Sequence, residues 1–217
     1  MIDVYIEIGK TRAVACAWAW PGWCRYGKTV ESAIEALLAA APRYQLIAQQ
    51  AGCTFDLPTH VVSTTLQGTA NTDWAPTLIT AQDTAPWTAA DAQRAVAILR
   101  AAWAALDDVV ATSSPTLRKG PRGGGRDRDA VAQHVTEAER AYARKIGVKE
   151  PAFLFADQAA KEAFRTAIAT TLSAANDGSL LAPNGWTAAY AVRRMAWHVI
   201  DHVWEIEDRQ MPPASDA

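Results

Sequence analysis

The chain has 217 residues, half of them hydrophobic and a fifth charged, with a formal net charge of −2. Such a composition supports a packed core and excludes both wholesale disorder and a basic protein built to coat nucleic acid. Three cysteines without a C-x-x-C pair, an opening stretch unlike a signal peptide and no apolar run of roughly 20 residues lead to the expectation of a cytoplasmic protein, with no membrane or nucleic-acid partner.

In "IDVYIEI", Ile2, Val4, Ile6 and Ile8 alternate with Asp3 and Glu7, which face the other way. That period of two predicts a strand. After a "GKT" turn the alternation resumes, with Val14, Cys16, Trp18 and Trp20 on one face and alanines 13, 15, 17 and 19 on the other, until Pro21-Gly22 stops it. A β-hairpin is the reading. Thr29 and Ser32 suit the start of a helix whose apolar positions are Val30, Ala33, Ile34, Leu37, Leu38 and Ala41, and the small alanine face would admit it closely. "HVVSTTL" at 60–66 predicts another strand. The order β-β-α-β implies a small α+β layer. "WPGWCRYGKTVESAIEAL", residues 20–37, resembles the HicB-like fold, as does any generic ββα module of this pattern. A HicB antitoxin would carry a DNA-binding segment as well, and no helix-turn-helix is legible here.

Residues 67–87, with Gly68, Asn71, Pro76 and Pro86, read as a connection, so the expected division is 1–86 and 87–217. Beyond it the period is helical. Thr88 with Asp91 suits a capped start, followed by the stripe Ala92, Ala95, Val96, Leu99, Trp103, Leu106 and Val110. Further helices are predicted at about 128–146, stopping at Gly147, about 158–175, and about 187–209. Four helices of about 18–23 residues, ~27–35 Å long, have the size of a four-helix bundle. The expected class is therefore α+β: a small N-terminal layer domain followed by an all-α bundle.

Three of the four histidines lie in the helical part. His134 falls in the apolar stripe of its helix, and His198 and His202 share the inward stripe of the last helix. Residues four apart on a helix have Cβ atoms roughly 5–6 Å apart, so two imidazoles placed this way can share one ion at roughly 2.0–2.1 Å if it is zinc. An HxxxH pair also arises by chance, and an inward histidine is often only a packed core residue. A buried imidazole without a partner is costly, however, and three need a reason.

"VAQHVTEAERAY" and "MAWHVIDHVWE" resemble the DinB-like superfamily, the damage-inducible or YfiT-like metal-binding bundles, over about residues 87–209. That family places one histidine on its second helix and HxxxH on its fourth. The resemblance implies a divalent ion, zinc or nickel, held by His134, His198 and His202, and, through the mycothiol-dependent maleylpyruvate isomerases, a low-molecular-weight thiol. The chain departs from many relatives after the last histidine, where it has "VWEIEDR", so the substrate side does not carry over.

Arg194 and Glu205 flank the histidines on the same face. As catalytic candidates, Arg194 would orient an anionic group, and Glu205 would be a fourth ligand, a base or an acceptor for a ligand histidine; otherwise both are solvated flanks of a helix. Asp201 reads as exposed, or as a partner of a ligand. "LRKGPRGGGRDRD", 117–129, has five basic residues and four glycines. It is neither a P-loop nor a dinucleotide fingerprint. It runs into a helix start, where Arg122 and Arg126 would hold a phosphate or carboxylate of a thiol or substrate; the alternative is a flexible connection. The leading expectation is a metal-dependent transferase or isomerase acting on a small molecule with a low-molecular-weight thiol. The alternatives are a hydrolase with metal-activated water, or a non-catalytic binding module with a structural metal. A homodimer stays open.

Overall fold

The computed structural model describes residues 1–120 and 124–211. It is a mixed α/β protein with a four-stranded sheet at the N-terminal end and six helices. The strands are β1 (Ile2–Ile8), β2 (Ala13–Ala17), β3 (Cys24–Gly27) and β4 (Val61–Gln67), in the order β3-β2-β1-β4, with β4 parallel to β1 and the other pairs antiparallel. The helices are α1 (Val30–Ala39), α2 (Ala41–Gln50), α3 (Ala89–Thr112), α4 (Arg128–Ala143), α5 (Gln158–Leu172) and α6 (Ala188–Asp208). Among the described residues no helix is long and apolar enough to cross a membrane.

Register explains the sheet's two faces. Val4 lies opposite Ala17 and Ile6 opposite Ala15. Branched side chains thus alternate with methyl groups on one face, and α1 settles on it with Ala33 and Leu37 buried. The reverse face carries Tyr5, Val14, Cys16 and Cys24, packed against Trp197 of α6. Three details differ from the sequence reading. The second strand stops at Ala17, and a further strand, β3, forms at 24–27. The expected single helix is two, because Pro42, in the first turn of α2, has no N–H to continue the helix before it. Glu7 is buried, accepting hydrogen bonds from the Thr77 and Leu78 amides and the Thr72 hydroxyl.

Glu7 is buried because residues 69–84, read from sequence as a connection, lie over this face of the sheet. They also supply Asp83, which receives Arg193 of α6 in a two-pronged pair, Nε to Oδ1 at 3.0 Å and Nη2 to Oδ2 at 2.7 Å. Arg193 further donates to the Leu78 carbonyl and the Tyr5 hydroxyl. Both charges are buried. The Pro21-Gly22 turn meets α6 from the other direction: at Gly22, with φ of +87°, an added Cβ would lie 2.8 Å from the Ala196 backbone. Of the tryptophans near this turn, Trp20 reaches the C-terminal helices and Trp23 packs within the N-terminal part. Trp20 receives the Arg94 guanidinium of α3 over its ring at 4.3 Å, while Trp23 donates to the Leu37 carbonyl and stacks on Tyr44. One continuous apolar core runs from Val4, Leu37 and Tyr44 to Leu99, Val135, Ile168 and Val199.

The helices of the C-terminal part start where their caps dictate. Thr88 accepts from the Asp91 amide and the Asp91 carboxylate accepts from the Thr88 amide, a closed capping box. α4 passes into a short 3₁₀ turn and ends at Gly147, with φ of +84°.

Removing one partner of the Arg193–Asp83 pair leaves a buried charge uncompensated. Asp83→Asn is expected to cost about 3–5 kcal/mol, a loss of roughly 6–20 °C in melting temperature at about 2–4 °C per kcal/mol for a chain of this size. The apolar double variant Arg193→Met/Asp83→Leu is expected to recover most of that loss. Urea denaturation followed by far-ultraviolet circular dichroism checks this. An Asp83→Asn protein as stable as wild type would contradict it.

Candidate metal centre

α4 and α6 pack together with one histidine of the first facing two of the second. His198 and His202 are one turn apart, their ring centroids 4.6 Å from each other. The His134 ring lies 5.3 Å from the first and 5.1 Å from the second. One ligand nitrogen from each of the three lies within 4.8 Å of the others, close enough to hold a single metal ion. Nitrogens around a tetrahedral ion sit roughly 3.3 Å apart, so a bound ion would draw the three rings closer together.

Two observations test whether these residues fit an ion. His198 is buried, and its Nδ1 has no hydrogen-bond partner among the described residues. An orphaned nitrogen in the core is costly unless something binds it. His202 Nδ1, in contrast, is 2.7 Å from Glu205 Oε2, which leaves Nε2 to face inward. A carboxylate on the outer nitrogen of a ligand histidine fixes its ring and raises its basicity. A set of three imidazoles fits zinc, nickel, copper or iron better than calcium or magnesium.

The electrostatics agree. Burial, then the charges of His202 and His134, push the His198 pKa well below its ordinary value. Burial, then His202 and Arg126, lower that of His134. Both rings are therefore held neutral, the form that binds metal. The hydrogen bond from His202 holds the Glu205 carboxyl below the usual glutamate range.

The other expected site residues sort by position. Glu205 touches His202 and Arg209, with Arg209 Nη1 at 2.5 Å from Oε1, so it occupies the position of an acceptor for a ligand histidine. Arg194 lies at the opposite end of the histidine pair. Its guanidinium is 4.7 Å from the Trp197 ring and 5.3 Å from that of Tyr142, whose hydroxyl it reaches at 3.3 Å. Arg126 is exposed, and its charge reaches both His134 and His198. Arg122 lies outside the described residues. Asp201 pairs with Arg25 of β3 at 3.2 Å. A cavity of about 760 Å³ between α3, α4 and α5, lined by Asp107, Gln133, Phe155 and Lys161, includes none of the three histidines. His134 and His202 are partly exposed, and His198 is buried.

Sequence reasoning missed Arg209, whose only sequence signal was its i,i+4 spacing from Glu205. No family model, curated protein or solved structure matches the chain.

A second buried titratable group lies elsewhere on α4. Glu139 accepts from Trp103 Nε1 at 2.5 Å, and burial pushes its pKa up to about 7. Between about pH 4.5 and 7 the folded chain keeps a proton that the unfolded chain has released, so stability falls as pH rises through this window. The loss amounts to on the order of 3 kcal/mol at about 1.4 kcal/mol per pH unit. Glu139→Gln keeps the acceptor oxygen and removes the titration. The change in urea midpoint from about pH 5 to about pH 8 is expected to be displaced toward lower stability in wild type relative to the variant. Equal differences would contradict this assignment.

Proposed function

We propose that the chain is a metal-dependent transferase or isomerase of the DinB-like kind, acting with a low-molecular-weight thiol on an anionic small molecule. In this reading α3–α6 form the four-helix bundle of that superfamily, and the sheet with α1 and α2 is a HicB-like module. The observation that carries the proposal is the convergence of His134, His198 and His202 on one point, with the Nδ1 of a buried His198 unpartnered. When bound, the ion would act as a Lewis acid and stabilise a thiolate near neutral pH.

The chain's own groups would do the rest. His134, His198 and His202 would offer three neutral nitrogens, which leaves a position for a ligand. Glu205 would hold the His202 ring through Nδ1. Arg126 at one side and Arg194 at the other would attract and orient a carboxylate, as guanidinium groups do by charge-assisted hydrogen bonds. Packing of Tyr142 and Trp197 against His198 would keep water from its buried side. A hydrolase with the same ligands is the second reading, favoured by the partial exposure of His134 and His202.

Cobalt(II)-substituted protein separates the two. Addition of a low-molecular-weight thiol such as cysteine or glutathione is expected to produce a sulfur-to-cobalt charge-transfer band in the near ultraviolet. Arg126→Ala is expected to leave the cobalt spectrum of the thiol-free protein unchanged. Its binding of small dicarboxylates, measured by calorimetry, is expected to weaken about 10- to 150-fold, the worth of one charge-assisted contact. Absence of the band with all thiols tried, together with turnover of carboxylic or phosphoric esters, would replace the transferase reading by the hydrolase one.

A further inference from the structure

The guanidinium of Arg209 has every nitrogen engaged. Nη1 donates to Glu205 Oε1 at 2.5 Å, Nε to the Arg118 carbonyl at 2.9 Å and Nη2 to the Arg126 carbonyl at 2.8 Å. Its backbone carbonyl in turn accepts from the Arg118 amide at 2.8 Å. One side chain, just past the end of α6, thus clasps both limbs of the glycine–arginine loop and the carboxylate that holds His202. The loop makes room for it. At Gly125, with φ of +119°, an added Cβ would come within 2.6 Å of Arg209 Nη2 and 3.0 Å of its guanidinium carbon. The two limbs are also joined to each other, by Gly120 N–H to the Gly124 carbonyl at 2.8 Å and by Lys119 to Asp127 at 2.5 Å.

We infer that Arg209 is a positioning residue that couples the loop limbs at 117–120 and 124–127 to the metal centre through Glu205 and His202. The inference rests on the metal reading above. Its physical content is reciprocal. A loop held by Arg209 orients Glu205, which sets the His202 ring for the ion. An ion that fixes His202 and Glu205 holds Arg209, and so holds the loop that carries Arg126. By linkage the two effects have the same size. A surface arginine whose only role was to pair with Glu205 across one helical turn would be worth little and would leave the loop indifferent to metal.

Competition between the full-length protein and a chromophoric chelator for zinc tests this. Wild type is expected to bind one zinc ion. Arg209→Ala is expected to weaken that affinity about 10- to 100-fold, as loss of outer hydrogen-bond partners does at metal sites, and Arg209→Lys to restore part of it. Gly125→Ala, which touches no ligand, is expected to weaken zinc binding in the wild-type background and to have no further effect in the Arg209→Ala background. Zinc is also expected to slow hydrogen exchange at the Arg118 and Gly120 amides in wild type and not in Arg209→Ala. Circular dichroism controls for folding. If wild type binds zinc and Arg209→Ala binds it equally well, or Gly125→Ala has the same effect in both backgrounds, the coupling is overturned while the metal centre stands. If wild type binds no zinc, the metal reading falls and the coupling with it.

Discussion

Arg193 is a charged side chain buried in the middle of the molecule, and its pairing with Asp83 constrains what surrounds it. A guanidinium taken out of water has to find a carboxylate and enough acceptors, or the fold cannot bear it. It finds Asp83, the Leu78 carbonyl and Tyr5 of the sheet. That requirement draws residues 69–84 over the sheet and against α6. It also fixes the rotation of α6 about its own axis. With Arg193 turned to the sheet, the next residue, Arg194, is turned toward Tyr142 of α4. One turn and two turns further on, His198 and His202 meet His134. Two of the three clustered histidines and the arginine of the buried ion pair are thus set by the same helix in the same orientation.

α6 divides its circumference between two tasks. One flank, through Trp197, Trp204 and Asp201, packs on the sheet side, with the Arg25 guanidinium 3.7 Å from the Trp204 ring. The adjoining face carries, in order, Arg194, His198, His202, Glu205 and Arg209, a stripe in which each residue meets the next or a neighbour on α4 or the glycine–arginine loop. Burial explains why the stripe suits a cation. It keeps His198 and His134 neutral and leaves the His198 Nδ1 without a partner among the described residues. The sheet contributes none of the three histidines; its reverse face packs against α6 through Tyr5 and Trp197.

Much of this was legible in the sequence, and what was not has a physical reason. Alternation in β1 and the Thr88–Asp91 capping box are local patterns, and both appear where they were expected. The facing of the three histidines followed from helical spacing alone. β3 was missed because "CRYG" is too short to show a period, and because Arg25 lies flat on Trp204, where an apolar residue would have given the signal. The Arg193–Asp83 pair joins positions 110 apart, and nothing local announces it. Arg209 was missed for a different reason: it binds backbone carbonyls of Arg118 and Arg126, and carbonyls leave no mark in a sequence. Pro42, by contrast, was visible and under-read, since a proline in such a run argues for a restart of the helix.

The claim at the centre of this account is that His134, His198 and His202 together hold one ion. Elemental analysis of the protein purified without chelators, beside the three single His→Ala variants and the His198→Ala/His202→Ala double variant, tests it most directly. The account predicts close to one equivalent of a zinc-like divalent metal per chain in wild type, a marked loss in each single variant, and none in the double variant, with all five proteins helical by circular dichroism. Stoichiometric metal surviving in the double variant, or none in a well-folded wild type supplied with zinc and nickel, would contradict it.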